Sequence, residues 1–406
     1  MKYIVVVPDG MADFPVEILG NKTPLEIARR TNMDYLAQHG VTGLVQTIPD
    51  EMNPGSDIGN LSIMGYDPRK HFFGRAPLEA ANLNIILKDD EVAFRCNLVT
   101  VSNDQMADYS AGHISTKEAG LLIDALNKKL GSAKLKFYPG KSYRHLLIVK
   151  SDAIAELLKI KCTPPHDIAG QNIKNYLPQA GLPQAGPLVD ELLSLMETSK
   201  EIFLNHPVNQ VRIDLKENPA TMIWPWGQGT RPNLPLFTEK FGLQGAIISA
   251  VDLVNGIGRL AGLEVVAVPG ATGYYDTNYL GKAEYALNAI KKKDFVYIHI
   301  EAPDEAGHNG DIKMKISAIE KIDKEIIGTI LKHCAKKENF RMLVLPDHAT
   351  PVEKRCHVSG PVGFVMFGRG IVPDGSTEYT EPAAKERGLK FKSGEELMEF
   401  FIRGNL

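Results

Sequence analysis

The sequence predicts an α/β protein with a mostly parallel sheet, helices on both faces of that sheet, and a smaller inserted α+β domain. Three observations lead to this prediction. Short apolar runs rich in β-branched residues recur along the chain, each run stops at a turn or a polar pair, and helical patterns separate the runs. The length of 406 residues fits two or three domains at roughly 150 residues each.

The first predicted element is a strand over Tyr3–Val7, because this run is apolar and β-branched and is stopped by Pro8-Asp9-Gly10. Later runs of the same kind predict buried strands at Asp294–Ile300, Met342–Leu345 and Val362–Phe367. A helical pattern at Met314–Lys332 lies between the first two of these later strands. Such alternation of strand and helix is typical of a parallel sheet.

The middle of the chain has a looser pattern than either end. From about residue 92 to residue 218 the predicted strands are short, a helix is predicted at Lys117–Leu130, and the stretch Cys162–Gly186 is rich in loops and proline. Alternation of strand and helix resumes at Gly245. We therefore expect a larger discontinuous domain over residues 1–91 and 219–406, and an inserted substrate or lid domain over residues 92–218.

The composition excludes several classes of protein. Lys and Arg total 46 against 49 Asp and Glu, so the net charge of −3 lacks the basic excess that binding to nucleic acid or an anionic membrane requires. No apolar run reaches the ~18 residues of a membrane span, and no signal sequence is recognisable. The four cysteines are too sparse for a disulfide framework. We expect a cytoplasmic protein with free thiols, in which any anionic ligand is met by a local pocket; the oligomeric state is not predicted.

Acidic and histidine residues cluster in the last third of the chain. Asp304 and His308 are four residues apart, so one helical turn places both side chains on one face. Asp347 and His348 end a predicted strand, at the edge where open α/β sheets bind ligands. His357 follows shortly afterwards.

A dinuclear metal site is the economical interpretation of these residues together with Asp9, which ends the first strand at the equivalent edge. Three carboxylates and three imidazoles suit Zn²⁺, Mn²⁺ or similar ions and are enough for two of them. Each residue alone has a plainer interpretation, as a turn at Asp9, a helix cap at Asp304 or Asp347, or a loop residue at His357. All six groups at strand ends favour the metal site.

A metal pair needs a nucleophile for group transfer, and the best candidate is Ser56, which a Pro-Gly turn delivers to a predicted helix start. A metal bound there lowers the pKa of the hydroxyl, and the amides at the helix N-terminus receive a phosphoryl group. The alternative is a simple helix cap, which Ser followed by Asp57 serves well. On this stretch alone the cap is the favoured interpretation.

Seven motifs in this chain order resemble one family over essentially the whole chain. They are P-D-G-M-A-D at Pro8–Asp13, P-G-S-D-I-G-N-L-S-I-M-G-Y-D-P at Pro54–Pro68, G-R-A-P-L-E-A at Gly74–Ala80, Y-S-A-G-H-I-S at Tyr109–Ser115, T-P-P-H-D at Thr163–Asp167, E-A-P-D-E-A-G-H at Glu301–His308 and L-P-D-H at Leu345–His348. The sequence resembles the alkaline phosphatase superfamily, and within it the archaeal-type cofactor-independent phosphoglycerate mutases. The resemblance implies an alkaline phosphatase-like larger domain.

The resemblance also implies two divalent metal ions, with Mn²⁺ expected and Mg²⁺, Zn²⁺ or Co²⁺ as alternatives. The residues that match the ligands of one ion are Asp9, Ser56, Asp347 and His348, and those that match the ligands of the second are Asp304, His308 and His357. It further implies that Ser56 takes the phosphoryl group from 3-phosphoglycerate as phosphoserine and returns it to the other hydroxyl of the glycerate. No 2,3-bisphosphoglycerate is then required.

A doubly anionic sugar acid needs arginines for bidentate contact, and the candidates are Arg75, Arg144, Arg231 and Arg259. The groups expected at the glycerate hydroxyls are His113, His166 and Asp167, with His166 or Asp167 moving the proton between oxygens. By the resemblance, Lys282 takes the role of an active-site lysine near the serine. Surface arginines and turn histidines are the plainer alternative.

Two rival functions keep the same metals and serine. The segment M-A-D-Y-S-A-G-H-I-S at Met106–Ser115 also resembles a bacterial branch proposed to be homoserine kinases, with a nucleotide donor and an amino-acid alcohol acceptor. The other rival is a phosphatase or phosphodiesterase, in which water resolves the phosphoserine; closure of the inserted domain over the substrate excludes that water. A non-enzymatic scaffold is expected to lack at least one of the seven ligands, and all seven are present.

Overall fold

The chain folds into two compact units in a computed structural model that describes residues 1–334 and 339–404. The larger unit comprises Met1–Phe72 and Asn233–Leu406, and the smaller unit comprises Phe73–Pro232. The larger unit is therefore formed by the two ends of the chain.

The boundaries of the units differ from those expected at residues 91/92 and 218/219, because the smaller unit is longer at both ends. The helix Arg75–Asn82 buries Ala76 and Ala80 in a cluster of apolar side chains of the smaller unit. The strand Met222–Gly229 pairs with the strand Glu91–Ser102. A short helix and a strand interrupted by proline carry weak sequence patterns, so their tertiary contacts decide the boundaries.

The strands of the described residues form two sheets. In chain order they are β1 (Lys2–Pro8), β2 (Val41–Val45), β3 (Glu91–Ser102), β4 (Gln105–Asp108), β5 (Leu135–Tyr138), β6 (Arg144–Lys150), β7 (Met222–Gly229), β8 (Gly245–Ile248), β9 (Glu264–Val265), β10 (Phe295–Ile300), β11 (Phe340–Val344), β12 (Val362–Gly368) and β13 (Lys390–Phe391). The larger unit holds the sheet with the order β13-β2-β12-β11-β1-β10-β8-β9. The smaller unit holds the order β4-β3-β6-β5, with β7 paired to β3.

Helices connect most of these strands. The α-helices of the described residues are α1 (Pro24–Ile27), α2 (Thr31–Gln38), α3 (Ser56–Ile63), α4 (Pro68–His71), α5 (Arg75–Asn82), α6 (Thr116–Leu130), α7 (Ile154–Leu158), α8 (Gly186–Leu204), α9 (Pro207–Asp214), α10 (Phe237–Phe241), α11 (Asp252–Leu260), α12 (Tyr279–Lys292), α13 (Ala302–Asn309), α14 (Ile312–Lys321), α15 (Gly328–Cys334), α16 (Glu381–Glu386) and α17 (Gly394–Arg403). Short 3₁₀ helices lie at Glu17–Leu19, Pro165–Ile168, Ile173–Asn175 and Pro183–Ala185. Throughout the described residues, helices are too short or too polar to cross a bilayer.

The sheet of the larger unit is mostly parallel, and the predicted α/β class is confirmed. Strand β1 lies between β10 and β11 and runs parallel to both, with Val5 opposite Tyr297 and Leu343. Strand β8 continues the parallel run beyond β10, whereas β12 is antiparallel to both of its neighbours. The carboxyl ends of β1, β10 and β11 therefore meet at one edge of the sheet, where open α/β sheets bind ligands.

Apolar side chains from strands and helices form the core of each unit. In the larger unit, Val6 of β1 packs in one cluster with Ile298 of β10 and Ile319 of α14. In the smaller unit, Phe94 of β3 shares a cluster with Leu122 of α6. Each fully buried side chain of this size contributes about 1.5–3 kcal/mol of transfer free energy, so these cores hold the sheet edges rigidly.

The helix predicted at Met314–Lys332 is observed with one irregularity. A π-helical segment, Ile322–Ile327, joins α14 to α15. Asp323 in this segment accepts hydrogen bonds from the backbone N–H groups of Asn32 at 3.2 Å and Met33 at 2.7 Å. The wider turn therefore places a carboxylate at the N-terminus of α2, which helical periodicity alone does not predict.

Candidate metal centre

The seven predicted metal ligands all lie in the larger unit, and the structure brings their side chains together. Asp9 follows β1, Asp304 and His308 lie on α13 directly after β10, and Asp347 and His348 follow β11. Because these three strands are adjacent and parallel, their carboxyl ends place residues from distant parts of the chain side by side.

Asp304, His308 and His357 make one set of contacts. The His308 Nε2 atom lies 3.2 Å from Asp304 Oδ2, and the His357 Nε2 atom lies 3.5 Å from Asp304 Oδ1. The two Nε2 atoms are 2.9 Å apart. The His308 Nδ1 atom lies 3.0 Å from the Arg355 carbonyl oxygen, so Nδ1–H donates there and Nε2 is the nitrogen that faces the carboxylate.

His348 lies at the centre of a second set of contacts. Its Nε2 atom is 3.3 Å from the Ser56 Oγ atom. It is also 3.5 Å from Asp9 Oδ1 and 3.5 Å from Asp347 Oδ2. A hydroxyl and two carboxylates therefore surround this nitrogen.

The hydroxyl of Thr350 fixes the tautomer of His348. It donates to Asp304 Oδ1 in a short hydrogen bond, so its oxygen is left to accept from His348 Nδ1–H at 3.2 Å. With the hydrogen on Nδ1, the lone pair of His348 Nε2 points at the oxygens around it.

Ser56 is the first residue of α3, and Gly55 occupies the N-cap position. The Ser56 hydroxyl is directed at His348 instead of at the helix amides, so the simple cap interpretation of Ser56 is wrong. One turn further along, Asn60 Nδ2 donates to the Ser56 carbonyl oxygen at 2.9 Å. This contact holds the helix start next to the acidic cluster.

Asn60 and Tyr297 support the site, although the sequence analysis did not single them out. Asn60 Nδ2 also donates to Asp347 Oδ2 at 2.8 Å, while Asp347 Oδ1 accepts from the backbone N–H of Gly10 at 3.2 Å. The Tyr297 hydroxyl donates to Asn60 Oδ1 at 2.6 Å and so fixes which end of the amide faces Asp347. The available signal was the position of Asn60 in P-G-S-D-I-G-N, one helical turn after Ser56.

Two glycines allow the backbone to approach the acids closely. Gly10 has a φ of 60°, and a Cβ atom there would overlap the Asp304 carboxylate and lie 2.7 Å from the Thr350 hydroxyl. A Cβ atom on Gly59 of α3 would lie 2.8 Å from the Asp347 carbonyl oxygen. A side chain at either position would push the acidic residues out of place.

Asp9 is fully buried, and its two carboxylate oxygens have different surroundings. Oδ2 lies 2.7 Å from the Nε2 atom of His299, whereas Oδ1 has no hydrogen-bond partner among the described residues. Glu301 Oε2 is likewise unpartnered within the described chain and lies 3.8 Å from His299 Nε2. Neither His299 nor Glu301 was predicted; the available signal was a histidine and a glutamate at the end of the apolar run F-V-Y-I-H-I-E.

Negative charge accumulates in this buried cluster. Burial, followed by the charges of Asp347 and Glu301, raises the pKa of Asp9 well above its ordinary value. Burial also acts to raise the pKa of Asp304, but hydrogen bonding, chiefly from His308, outweighs it and holds that pKa well below its ordinary value. The same hydrogen bond raises the pKa of His308 to about 9. Cations placed among these groups would relieve the repulsion.

The donor set fits divalent cations. Within the described part of the chain, two groups have ligand atoms that all lie within 4.8 Å of one another. They are Asp304 with His348 and His357, and Asp9 with His299 and Asp347. The donors such an ion needs are the unpartnered Asp9 Oδ1 atom, the inward lone pair of His348 Nε2, and His308 Nε2 once an incoming ion displaces its proton. Mixed oxygen and nitrogen donors suit Mn²⁺, Zn²⁺ and similar ions.

Lys282 and Arg259 also lie in the larger unit, in different surroundings. Lys282 on α12 is fully buried, and its Nζ atom donates to the His299 carbonyl oxygen at 2.7 Å. Burial lowers the pKa of Lys282 to about 8, and the charge of Glu301 opposes that shift. Lys282 is therefore next to the acidic cluster, whereas Arg259 is exposed on α11.

A second cluster of polar side chains surrounds the Trp226 indole ring in the smaller unit. The guanidinium carbons of Arg95 and Arg75 lie 4.2 and 5.8 Å from the ring centroid. The His166 ring packs edge-on to the same indole at 5.3 Å. The Glu79 Oε1 atom lies 3.0 Å from the Arg95 Nε atom. Arg75 and His166 were predicted substrate residues, while Arg95 and Trp226 were missed.

Arg144 extends this cluster, with its guanidinium 5.6 Å from the Tyr143 ring centroid. The Nε atoms of Arg75 and Arg144 are buried and have no acceptor among the described residues. Burial lowers the pKa of Arg95 to about 10; Glu79 opposes this shift and the two neighbouring arginines reinforce it. Three arginines near one carboxylate leave net positive charge, which a bound anion would balance.

His113 lies in a strained turn beside Tyr143. Ala111, Gly112 and His113 have φ angles of 49°, 67° and 49°, a region that residues other than glycine rarely adopt. Arg212 Nη2 donates to the Ala111 carbonyl oxygen at 2.9 Å and helps to hold the turn. The His113 and Tyr143 rings pack edge-on, with their centroids 6.3 Å apart. Backbone strain of this kind concentrates at functional sites.

Asp167 and Arg231 are exposed residues of the smaller unit. The His166 Nε2 atom lies 3.6 Å from Asp167 Oδ1, which places Asp167 at the margin of the Trp226 cluster. The Arg231 Nη1 atom lies 3.9 Å from the Asp89 Oδ1 atom. A surface ion pair of this kind contributes little to stability and does not by itself indicate a binding role.

The fold is that of an α/β protein, and its cluster of acid, imidazole and hydroxyl groups has the chemistry that metal-assisted phosphotransfer needs. Comparison with known proteins narrows this class. A family profile described as 2,3-bisphosphoglycerate-independent phosphoglycerate mutase matches residues 37–209.

Relatives with that name match essentially the whole chain. The 2,3-bisphosphoglycerate-independent phosphoglycerate mutase of Methanosarcina acetivorans is 47% identical over 405 residues, which cover 99% of this chain and 100% of the relative. A probable enzyme of the same name from Geobacter sulfurreducens is 46% identical over 407 residues, with coverage of 99% and 100%. The chain belongs to the 2,3-bisphosphoglycerate-independent phosphoglycerate mutase family, and the resemblance seen in its motifs is confirmed.

Solved structures with the same fold include two archaeal proteins. A Pyrococcus horikoshii protein superposes with a TM-score of 0.83 at 30% identity, covering 100% of this chain and 98% of that one. The cofactor-independent phosphoglycerate mutase of Thermoplasma acidophilum superposes with a TM-score of 0.67 at 26% identity, covering 99% of both chains. Both matches extend over the larger and the smaller unit.

Proposed function

We propose that this protein interconverts 3-phosphoglycerate and 2-phosphoglycerate without 2,3-bisphosphoglycerate, through a phosphoserine on Ser56. Full-length relatives carry the name of this activity. One structural observation supports the choice of nucleophile above all others: Ser56 Oγ, at the first residue of α3, lies 3.3 Å from His348 Nε2 among the acids and histidines of the cluster.

Our proposal includes two divalent ions in this cluster, with Mn²⁺ expected and Mg²⁺, Zn²⁺ or Co²⁺ as alternatives. The first ion is assigned to Asp9, Ser56, Asp347 and His348, and the second to Asp304, His308 and His357. When bound, the ions neutralise the phosphoryl oxygens and lower the pKa of the serine hydroxyl. The inward Nε2 atoms of His308 and His348 and the unpartnered oxygen of Asp9 support these assignments.

The reaction divides into two transfers through one oxygen atom. In the first, Ser56 Oγ forms a bond to phosphorus as the bond from phosphorus to O3 of the substrate breaks, and the serine proton passes to O3. In the second, O2 of the glycerate forms a bond to phosphorus as the bond from phosphorus to Ser56 Oγ breaks, and the proton of O2 passes to Oγ. The N-terminus of α3 presents its amide dipoles to the phosphoryl group throughout, which stabilises negative charge.

The Trp226 cluster of the smaller unit is the proposed binding site for an anionic group of the substrate. Arg75 and Arg144 carry buried Nε donors without described acceptors, and the net positive charge favours a carboxylate or a phosphate. His113, His166 and Asp167 are assigned to the glycerate hydroxyls, with His166 or Asp167 moving the proton. The role of the smaller unit as a substrate domain, and the substrate contacts of Arg231, Arg259 and Lys282, remain predictions.

An assay with the metal-loaded protein tests this function. We expect 2-phosphoglycerate to form from 3-phosphoglycerate without added bisphosphoglycerate, and we expect a chelator to abolish the reaction until Mn²⁺ is restored. A parallel assay contains homoserine and ATP. Formation of ADP that depends on homoserine, with no mutase activity, would contradict the proposal and favour the kinase activity. Release of inorganic phosphate as the main product would favour the phosphatase activity.

A further inference from the structure

His299 is a buried histidine that the mechanism above does not use. It lies on β10 with a fully buried side chain. Its Nε2 atom is 2.7 Å from Asp9 Oδ2, and its Nδ1 atom is 3.2 Å from Ser249 Oγ. The imidazole therefore links a proposed metal ligand to a hydroxyl outside the metal centre.

The surroundings of Ser249 determine which nitrogen of His299 carries the hydrogen. The Ser249 oxygen accepts a hydrogen bond from the Val251 backbone N–H at 3.0 Å. Its own hydrogen is then available for His299 Nδ1, the acceptor that lies within reach. A neutral imidazole has one donor and one acceptor, so Nε2 carries the hydrogen and donates to Asp9 Oδ2.

This hydrogen bond leaves Asp9 with one oxygen for a metal ion. Oδ2 is occupied by His299, whereas Oδ1 is buried, has no hydrogen-bond partner among the described residues, and lies 3.5 Å from His348 Nε2. Without the imidazole, the carboxylate could rotate and offer either oxygen or both. The imidazole therefore selects the oxygen and restricts rotation of the side chain.

We propose that His299 is a positioning residue for the first metal ion, and that the hydrogen-bond chain from Ser249 through His299 holds Asp9 as a one-oxygen ligand. This inference rests on the first metal site of the proposed function. Partners that orient a metal ligand typically change metal affinity by about 10–100-fold when they are removed. The same geometry predicts that a donor at the Nε2 position is sufficient, whether or not it belongs to an imidazole.

A direct metal bond from His299 is the competing arrangement, since its nitrogen lies within 4.8 Å of ligand atoms of Asp9 and Asp347. That arrangement requires a lone pair on Nε2 and the hydrogen on Nδ1. The Nε2 lone pair would then face the ionised Asp9 Oδ2 atom at 2.7 Å with no hydrogen between them. The positioning role satisfies every one of these groups, so the structure favours it.

A matched pair of variants separates the two roles. In His299→Gln the side-chain amide nitrogen reaches the position of Nε2 and retains a donor to Asp9. In His299→Asn the amide has the same chemistry but ends at the position of Nδ1, too short to reach Asp9. Binding of Mn²⁺ to the metal-free full-length protein is measured by electron paramagnetic resonance, which reports both metal equivalents independently of activity.

We expect His299→Gln to retain both affinities within about threefold of the unaltered protein, and His299→Asn to weaken one equivalent by about tenfold or more. Equal weakening in both variants would make His299 a direct ligand and overturn the proposal. Unchanged Mn²⁺ affinities in both variants would also overturn the proposal. If the unaltered protein binds no Mn²⁺, the proposed metal centre itself fails; if it binds two ions and the two variants are equal, only the role of His299 fails.

Ser249→Ala keeps the test decisive if a change at the buried histidine prevents folding. Loss of this hydroxyl removes the group that fixes the tautomer, so we expect weaker binding of one metal equivalent. Ser376→Ala is the control, because its buried hydroxyl pairs with that of Thr42 at 2.7 Å and takes no part in the chain to Asp9. Equal affinities in the two serine variants would count against the hydrogen-bond chain.

Discussion

The Nε2 atoms of His308 and His357 lie 2.9 Å apart, and each also lies within 3.5 Å of the Asp304 carboxylate. His308 donates its Nδ1 hydrogen to the Arg355 carbonyl oxygen, so its Nε2 atom is the one that faces Asp304 and the other ring. Two imidazoles and a carboxylate in this arrangement need a shared positive charge. A divalent ion satisfies all three side chains at once.

Replacement of His357 by alanine is therefore expected to lower the metal content from two equivalents toward one. The remaining ligands of the second ion, Asp304 and His308, would hold it too weakly to survive gel filtration. Elemental analysis of the filtered protein gives the stoichiometry. His333→Ala is a suitable control, because His333 is exposed on α15. Unchanged metal content in His357→Ala would show that His357 is not a ligand.

Replacement of Ser56 by alanine is expected to abolish mutase turnover, by at least about 10³-fold, while the fold is retained. Ser62→Ala is a matched control on the same helix. Its hydroxyl oxygen accepts a hydrogen bond from the Gly394 N–H at 3.0 Å, so its loss is expected to cost about 1 kcal/mol of stability and little turnover. Measurable turnover in a pure Ser56→Ala preparation would remove the serine from the mechanism.

Replacement of Arg144 by methionine is expected to raise the KM for 3-phosphoglycerate about 10–100-fold, with a smaller effect on kcat. A charge-assisted hydrogen bond to an anion contributes about 1.5–3 kcal/mol, and contact with a non-reacting group acts equally on substrate and transition state. Steady-state kinetics at saturating Mn²⁺ measures both constants. Arg403→Met, at an exposed arginine of α17, is the control. An unchanged KM in Arg144→Met would remove Arg144 from the substrate site.

Burial of His145 predicts a dependence of stability on pH. Its Nδ1 atom accepts from the Gly140 backbone N–H at 3.0 Å, and burial lowers its pKa from 6.5 to about 3. Below pH 6.5 His145 takes up a proton in the unfolded chain but not in the folded chain. Its contribution to the free energy of unfolding is therefore complete above pH 6.5 and is lost progressively as the pH falls. Between pH 7.5 and pH 5.5 the loss is about 1.4 kcal/mol.

Urea unfolding of the metal-free protein at these two pH values measures that change. In His145→Gln the difference in unfolding free energy between the two pH values is expected to be smaller by about 1.4 kcal/mol. His39→Gln, at an exposed histidine that ends α2, is expected to retain the full difference. The same pH dependence in all three proteins would exclude a neutral buried His145 as its source.

The fold of the larger unit was predictable because its strands are short apolar runs that stop at turns. Strand β1, for example, is buried from Tyr3 onward and ends at the Pro8-Asp9-Gly10 turn. The cluster of acids and imidazoles was predictable for a related reason. Asp304 and Asp347 are polar residues placed directly after such runs, and parallel strands bring those positions together.

The supporting residues were less predictable, because their roles depend on contacts between distant parts of the chain. His299 sits inside an apolar strand, where a lone histidine is as consistent with a satisfied core residue as with a functional one. Arg95 is buried in β3, and its significance appears only when Glu79 and Trp226 are seen beside it. Helix α5 and strand β7, at the ends of the smaller unit, are likewise assigned to that unit only by the packing of α5 and the pairing of β7 with β3.

The central position of β1 has a consequence for synthesis of the protein. Its Val5 pairs with Tyr297 and Leu343, so both partner strands are made long after it. At roughly 5–20 residues per second, a ribosome needs about 15–60 s to add the ~290 residues that precede the first of these partners. During that interval the strand has two unpaired edges, which exposes the nascent chain to pairing with other chains. A chain that terminates before Phe340 leaves β1 unpaired on one side and lacks Asp347 and His348, so we expect incomplete products to lack the proposed first metal site.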